Sequence, residues 1–165
     1  MDIKKIVKSV SRRKSTITII CVWTILVALI VIKAYWLSYS TRNRLKYYKP
    51  IYPGYDLSGA DCLDLLIIGV AGLMVGLFLN DVKEMIYGYI ATMLSVFLVS
   101  VIYISIYIWY VLDFRTIFSL NPFEWELAVY TAASIAFALM VPWIIGICLV
   151  SLVIGAFLRT WMGWS

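Results

Sequence analysis

Apolar residues run along this chain in long unbroken stretches separated by short polar breaks. The first stretch, Thr16 to Ile32, continues to an aromatic edge at Tyr35, Trp36 and Tyr39. The second covers Leu63 to Leu79, the third Met85 to Leu112 and the fourth Leu127 to Leu158. A helix crosses a bilayer with about 20 apolar residues, and none of the stretches shows the alternation of a membrane β-barrel strand. The pattern therefore predicts an all-α integral membrane protein. Residues 16–165 form one domain of four transmembrane helices, at about 16–39, 62–79, 85–112 and 126–158, joined by short loops. The fourth stretch is far longer than a straight crossing requires. Pro142 is expected to kink it, with tilt absorbing the excess; two re-entrant pieces meeting at Pro142 are the alternative.

Short polar motifs mark where these helices begin. Ser58-Gly59-Ala60-Asp61 reads as a capping box before the second span, and Asp81-Val82-Lys83-Glu84 as another before the third. Asn121-Pro122-Phe123-Glu124 supplies a cap residue, a first-turn proline and a third-position acid before the fourth. Each gives oxygen acceptors to N–H groups that a helix start leaves bare. Ahead of the first span, residues 1–15 place Ile3, Ile6, Val7 and Val10 at helical spacing among lysines. That is the pattern of a basic amphipathic segment lying on anionic lipid headgroups; a disordered tail that only sets topology is the other reading. Ala34-Tyr35-Trp36 offers no small-x-small cleavage pattern, so the first span is expected to stay as an anchor.

Composition reinforces the class. The chain is 64% hydrophobic and 14% charged, whereas soluble domains are nearer half apolar and a quarter charged. Basic residues then orient it. Lys4, Lys5, Lys8, Arg12, Arg13, Lys14, Lys83 and Arg159 fall on one side of a four-span arrangement, against Arg42, Arg44, Lys46, Lys49 and Arg115 on the other. The excess predicts a multi-pass protein of the cell membrane with both termini cytoplasmic. The net charge of +5 fits basic membrane flanks and calls for no nucleic-acid partner.

Candidate chemistry is sparse. The chain has no histidine, the commonest metal ligand and general base. Cys21, Cys62 and Cys148 form no CxxC pair, and no phosphate loop or dinucleotide glycine motif occurs. No cofactor, metal or catalytic residue is therefore assigned. The outer acids Asp56, Asp61, Asp64, Asp113, Glu124 and Glu126 are read as caps and as partners for Arg42, Arg44, Lys46 or Arg115 rather than as a cation site. No Asp, Glu, Arg or His lies near the middle of a span, which weakens ion-coupled transport.

Small and hydroxylated residues carry the remaining signals. Gly69, Gly72 and Gly76 share a face of the second span, and Gly88, Ala91 and Ser95 repeat the spacing on the third. Small residues let membrane helices approach closely. The short 80–84 connection makes these spans an antiparallel hairpin, so the two small faces are expected to meet; packing on another subunit and a glycine-lined pore are the rivals. Thr92, Ser95, Tyr103, Tyr107 and Tyr110 share a face of the third span. Interhelical hydrogen bonds and an interfacial aromatic belt account for them more simply than a ligand groove. In the first loop Tyr47, Tyr48, Tyr52 and Tyr55 accompany Pro50 and Pro53-Gly54 as candidate partner or lipid contacts, and Tyr103, Tyr107 and Tyr110 are further candidates for the same role. Together these features predict a non-catalytic integral membrane subunit, structural or accessory, that packs against partners in a larger membrane complex. An oligomeric channel or carrier for a small neutral or lipidic solute is the alternative.

Overall fold

The computed structural model describes residues 3–44, 61–79, 81–110 and 124–163, and side chains within 14–37, 61–79, 81–109 and 126–163. The described residues form five helices: α1 (Ile3–Arg44), α2 (Cys62–Phe78), α3 (Val82–Tyr110), α4 (Glu124–Met140) and α5 (Trp143–Trp161). Three segments are long and apolar enough to cross a membrane: Lys14–Leu37 within α1, Val82–Trp109 within α3, and Trp143–Trp161. α2 and α4 are shorter, at 17 residues each. Large apolar side chains such as Val22, Leu29, Leu66, Ile90, Leu98 and Val153 point outward. So broad an apolar surface suits lipid and not water.

α1 is one unbroken helix from Ile3, with no boundary between the basic segment and the first apolar run. The start of α2 differs from the expected box at Ser58. Asp61 is the cap residue, and Asp64 at the third position accepts the Asp61 N–H at 3.3 Å. Asp81 plays the expected part for α3, accepting the Lys83 N–H at 3.0 Å.

The predicted fourth span is two helices. α4 ends at Met140 and α5 begins at Trp143, with Val141 and Pro142 between them. A proline ring supplies no N–H and crowds the preceding turn. Here the ladder stops instead of bending: Val141 N–H still reaches the Phe137 carbonyl, and bonding resumes with Gly146 N–H to the Pro142 carbonyl. The break divides the two halves between different neighbours. α4 packs along α3, whereas α5 packs along α2.

The α2–α5 contact also corrects the expected hairpin. α2 and α3 scarcely touch despite their short connection. A β-carbon at Gly72 would strike Ser151 Oγ, and one at Gly76 would strike the Leu152 carbonyl oxygen and lie 3.0 Å from Gly155 Cα. Gly155 in turn faces the Leu73 carbonyl. Ser151-Leu152-Val153-Ile154-Gly155 therefore repeats the spacing of Gly72 and Gly76 from the other side. The partners climb together, from Gly69 beside Ile147 to Leu79, whose carbonyl accepts a hydrogen bond from Arg159. α2 and α5 are thus parallel. Gly88, expected to meet α2, is covered mainly by Ile20 of α1, while Ala91 and Ser95 are exposed.

Two cores result. Trp23, Val27, Ile68, Val96, Ile144 and Cys148 fill the space among α1, α2, α3 and α5. Tyr35, Ile104, Tyr107, Ala128, Ala132 and Ala136 fill that among α1, α3 and α4. The molecule is a four-helix layer with a three-helix layer continuing from one end.

Gly76→Ala is expected to lower stability in detergent by about 1–3 kcal/mol, because backbone and not a movable side chain meets the new methyl. Gly146 has nothing within 4 Å of its would-be β-carbon, so Gly146→Ala should be neutral or stabilising by about 0.5–1 kcal/mol. Parallel unfolding titrations of the two variants check both expectations.

Candidate functional site

Polar side chains concentrate on the seam between α1 and α3, and its register explains how. Thr16 Oγ1 donates to Glu84 Oε2 at 3.5 Å, and Thr24 Oγ1 lies 3.1 Å from Thr92 Oγ1. Both pairs are 68 residues apart in sequence. Trp36 Nε1 donates to the Tyr103 hydroxyl at 2.7 Å, at a separation of 67. A constant offset means that the two helices run parallel and meet along matching positions. Apolar pairs such as Ile20 and Gly88 lie between the polar rungs.

The middle rung has a defined direction. Thr24 already donates to the Ile20 carbonyl at 2.8 Å. A hydroxyl has one proton, so Thr92 is the donor to Thr24. Thr92 is fully buried, and without this bond its hydroxyl would be stranded in apolar surroundings. Ser100, two turns further along α3, is also fully buried, and its Oγ has no hydrogen-bond partner. Nothing in the surrounding packing accounts for that hydroxyl.

At the upper end of the seam, Tyr107 forms T-shaped pairs with two rings from α1. Its centroid is 5.6 Å from Tyr35 and 4.9 Å from Trp36, with interplanar angles of 83° and 69°. T-shaped pairs of this kind set the positive ring edge against the negative face. The hydroxyl face expected on α3 is thus divided. Thr92, Tyr103 and Tyr107 turn inward to α1, and Ser95 turns outward. The side chain of Tyr110 lies outside the described residues, as do Tyr47, Tyr48, Tyr52 and Tyr55.

Beside these rings lies the strongest electrostatic feature of the described structure. Lys33 Nζ reaches both oxygens of Asp64, at 2.8 and 2.9 Å, and Asp61 Oδ2 at 3.5 Å. Asp64 is only 3% exposed, whereas the Lys33 side chain is 48% exposed. The carboxylate is therefore held inside, and the lysine reaches in from the rim. Asp64 also receives the Asp61 N–H, so one carboxylate both starts α2 and ties it to α1. The sequence pattern offers Asp64 only a capping role or pairing with Arg42, Arg44, Lys46 or Arg115, and not with Lys33. The overlooked signal was depth. The helical rise from Thr16 to Lys33 is about 25 Å, close to the length of α2, so Lys33 arrives level with the α2 start.

An apolar groove of about 740 Å³ runs between α2 and α5 from Pro142 toward Ile154. Gly69 and Gly146 thin its walls, and Trp143 stands half exposed at its edge. Among the described residues, no three His, Cys, Asp or Glu side chains converge as a metal ion would require.

Two substitutions separate the roles in the Lys33–Asp64 pair. Lys33→Met leaves a bare carboxylate in a buried position, whereas Asp64→Asn removes the charge and keeps an oxygen for the cap. Lys33→Met should therefore lower the melting temperature in detergent more than Asp64→Asn does. At the middle rung, Thr92→Val is expected to cost about 0.6 kcal/mol, the usual worth of a hydroxyl bond between membrane helices; steric-trapping or denaturant titration measures it.

Set against protein-family models, curated proteins and solved structures, the chain matches none, and its function is read from its own geometry.

Proposed function

We propose that the chain is a non-catalytic integral membrane subunit that packs through its α3 face against other membrane proteins. It crosses the cell membrane four times, by α1, α2, α3 and the α4–α5 unit, with both termini cytoplasmic. Basic residues support that orientation. Lys14, Lys83 and Arg159 lie at the end where α1 and α3 begin and α5 finishes, and the N-terminal basic segment would meet anionic headgroups there. Tyr47, Tyr48, Tyr52 and Tyr55 would meet a partner or lipid at the opposite end.

One observation carries the subunit reading. Ser95 is exposed midway along an apolar helix, one turn from exposed Ala91 and between outward-facing Leu94 and Leu98. Three other exposed hydroxyls satisfy themselves on their own helices: Thr18 donates to Lys14, Ser134 to Tyr130 and Thr160 to Ala156. The Ser95 hydroxyl makes no such bond. In lipid an unpaired hydroxyl between bulky neighbours, with a small residue one turn away, suits a second helix that comes close and bonds to it. The channel or carrier alternative has the apolar α2–α5 groove on its side, which suits a lipidic solute. The seam hydroxyls of Thr24 and Thr92 are engaged with each other and favour a structural role.

Purification in mild detergent followed by mass determination tests this. The expected result is co-purification with other membrane proteins in fixed ratio, lost in the Ala91→Leu/Ser95→Leu double variant while the bundle melts as before. A monodisperse homo-oligomer that survives both substitutions overturns the reading.

A further inference from the structure

α2 and α3 both pack along α1 and scarcely touch each other, so α1 keeps one side open to lipid. On that side Val22, Ile25, Leu29, Lys33 and Trp36 follow one another at steps of three or four residues, and all are exposed. Steps of that size set neighbours on one helix face, about 5–6 Å apart. The strip is apolar from Val22 to Leu29 and turns polar at Lys33. The rise from Val22 to Lys33 is about 16 Å, close to one leaflet of a hydrocarbon core about 30 Å thick. Lys33 and Trp36 therefore stand where a lipid headgroup meets its acyl chains.

At this level the two side chains turn apart. Lys33 reaches α2, where it holds Asp64 at 2.8 and 2.9 Å and Asp61 at 3.5 Å. Trp36 reaches α3, where its indole N–H donates to the Tyr103 hydroxyl and its ring pairs with Tyr107. One ammonium group faces two carboxylates, so one negative charge is left over. Asp64 is buried and doubly bonded, which places the excess on Asp61. That side chain is 67% exposed, and its 3.5 Å contact is longer than a charge-assisted bond. On the other flank the Tyr103 hydroxyl accepts the indole proton, and its own proton has no acceptor among the described residues. The Trp36 ring, held at its N–H and its edge, is still 43% exposed.

We propose that Asp61, Trp36 and Tyr103 bind the headgroup of one zwitterionic phospholipid, its ammonium between Asp61 and the Trp36 ring and its phosphate at the Tyr103 hydroxyl, with an acyl chain along Leu29, Ile25 and Val22. Charge decides the class of lipid. The uncompensated Asp61 attracts an ammonium group and repels a headgroup that is only anionic. An indole face adds cation–π attraction to the same group. The Tyr103 proton supplies the phosphate with a donor, and a phosphate oxygen accepts it. Because Trp36 is already fixed by Tyr103 and Tyr107, little side-chain freedom is lost on binding. Lys33 positions the site: by neutralising Asp64 it leaves Asp61 as the only free charge of the trio.

Native mass spectrometry of the full chain, released from detergent micelles doped with lipid, tests the proposal. The probes are phosphatidylethanolamine and phosphatidylglycerol with identical acyl chains, offered separately and as an equal mixture. The expected result is one phosphatidylethanolamine held per chain at collision energies that strip phosphatidylglycerol. Asp61→Asn keeps an oxygen for the α2 cap and removes the charge, and Trp36→Leu keeps apolar bulk and removes the indole. Each is expected to lower the retained fraction about tenfold at a melting temperature that shows the bundle intact. Trp161→Leu, at an equally exposed interfacial tryptophan on the other end of the molecule, should retain the lipid as the parent does. The proposal is overturned if phosphatidylglycerol is retained as well as phosphatidylethanolamine, if either Asp61→Asn or Trp36→Leu retains the lipid like the parent, or if Trp161→Leu loses it to the same extent.

Discussion

Where α2 crosses α5, the Leu152 carbonyl occupies the space that a β-carbon at Gly76 would fill, and Gly76 in turn stands against Gly155. Lipid offers membrane helices little hydrophobic reason to associate, so contact of this closeness carries much of the cohesion. The rest of the arrangement follows from it. α2 is drawn to α5 and away from its neighbour in sequence, α3. α5 takes the fourth place in the lower bundle. α4, which cannot follow α5 without leaving α3, separates from it at Pro142, the one residue of the run that cannot continue a ladder.

The polar groups fit the frame that this contact creates. With α2 beside α5, its starting residues face α1 at the depth of Lys33, and Asp64 closes onto the lysine with both oxygens. A carboxylate this enclosed needs a partner with several donors. An ammonium group at the rim meets that need while its own face stays wet. On α3, the hydroxyls divide by side only in part. Thr92 and Tyr103 face α1 and are bonded there, whereas Ser95 faces outward and is not. Ser100 and Ser105 are buried on the same helix without a bond, so the support for a partner at α3 is the outward position of Ser95 beside Ala91 and not a general sorting of hydroxyls.

Much of the fold was legible because it depends on local features. An apolar run long enough to cross lipid announces itself over some twenty residues, and the Asp81 cap needed only its own turn. Thr92 bonds across to Thr24, as its place on a hydroxyl-bearing helix face suggests, since most buried hydroxyls find a partner. The Lys33–Asp64 pair was not legible in this way. The two residues lie on different helices, and their meeting depends on α1 being continuous and on where the α2 start is anchored. The division of the fourth run at Val141–Pro142 was equally hidden, since a proline is compatible with a kinked helix as well as a broken one.

The amino-acid sequence by itself determined the class of protein, the approximate extent of its helices and the presence of small faces able to bring backbones together. These are properties of single segments, set by hydrophobicity, capping and side-chain size. Only the tertiary structure decided that Gly72 and Gly76 face Ser151 and Gly155, that Gly88 faces Ile20, and that Ala91 and Ser95 stay exposed among the described residues. A small face states that some backbone can come close without naming which. That choice is made by all the helices competing at once for a limited number of neighbours.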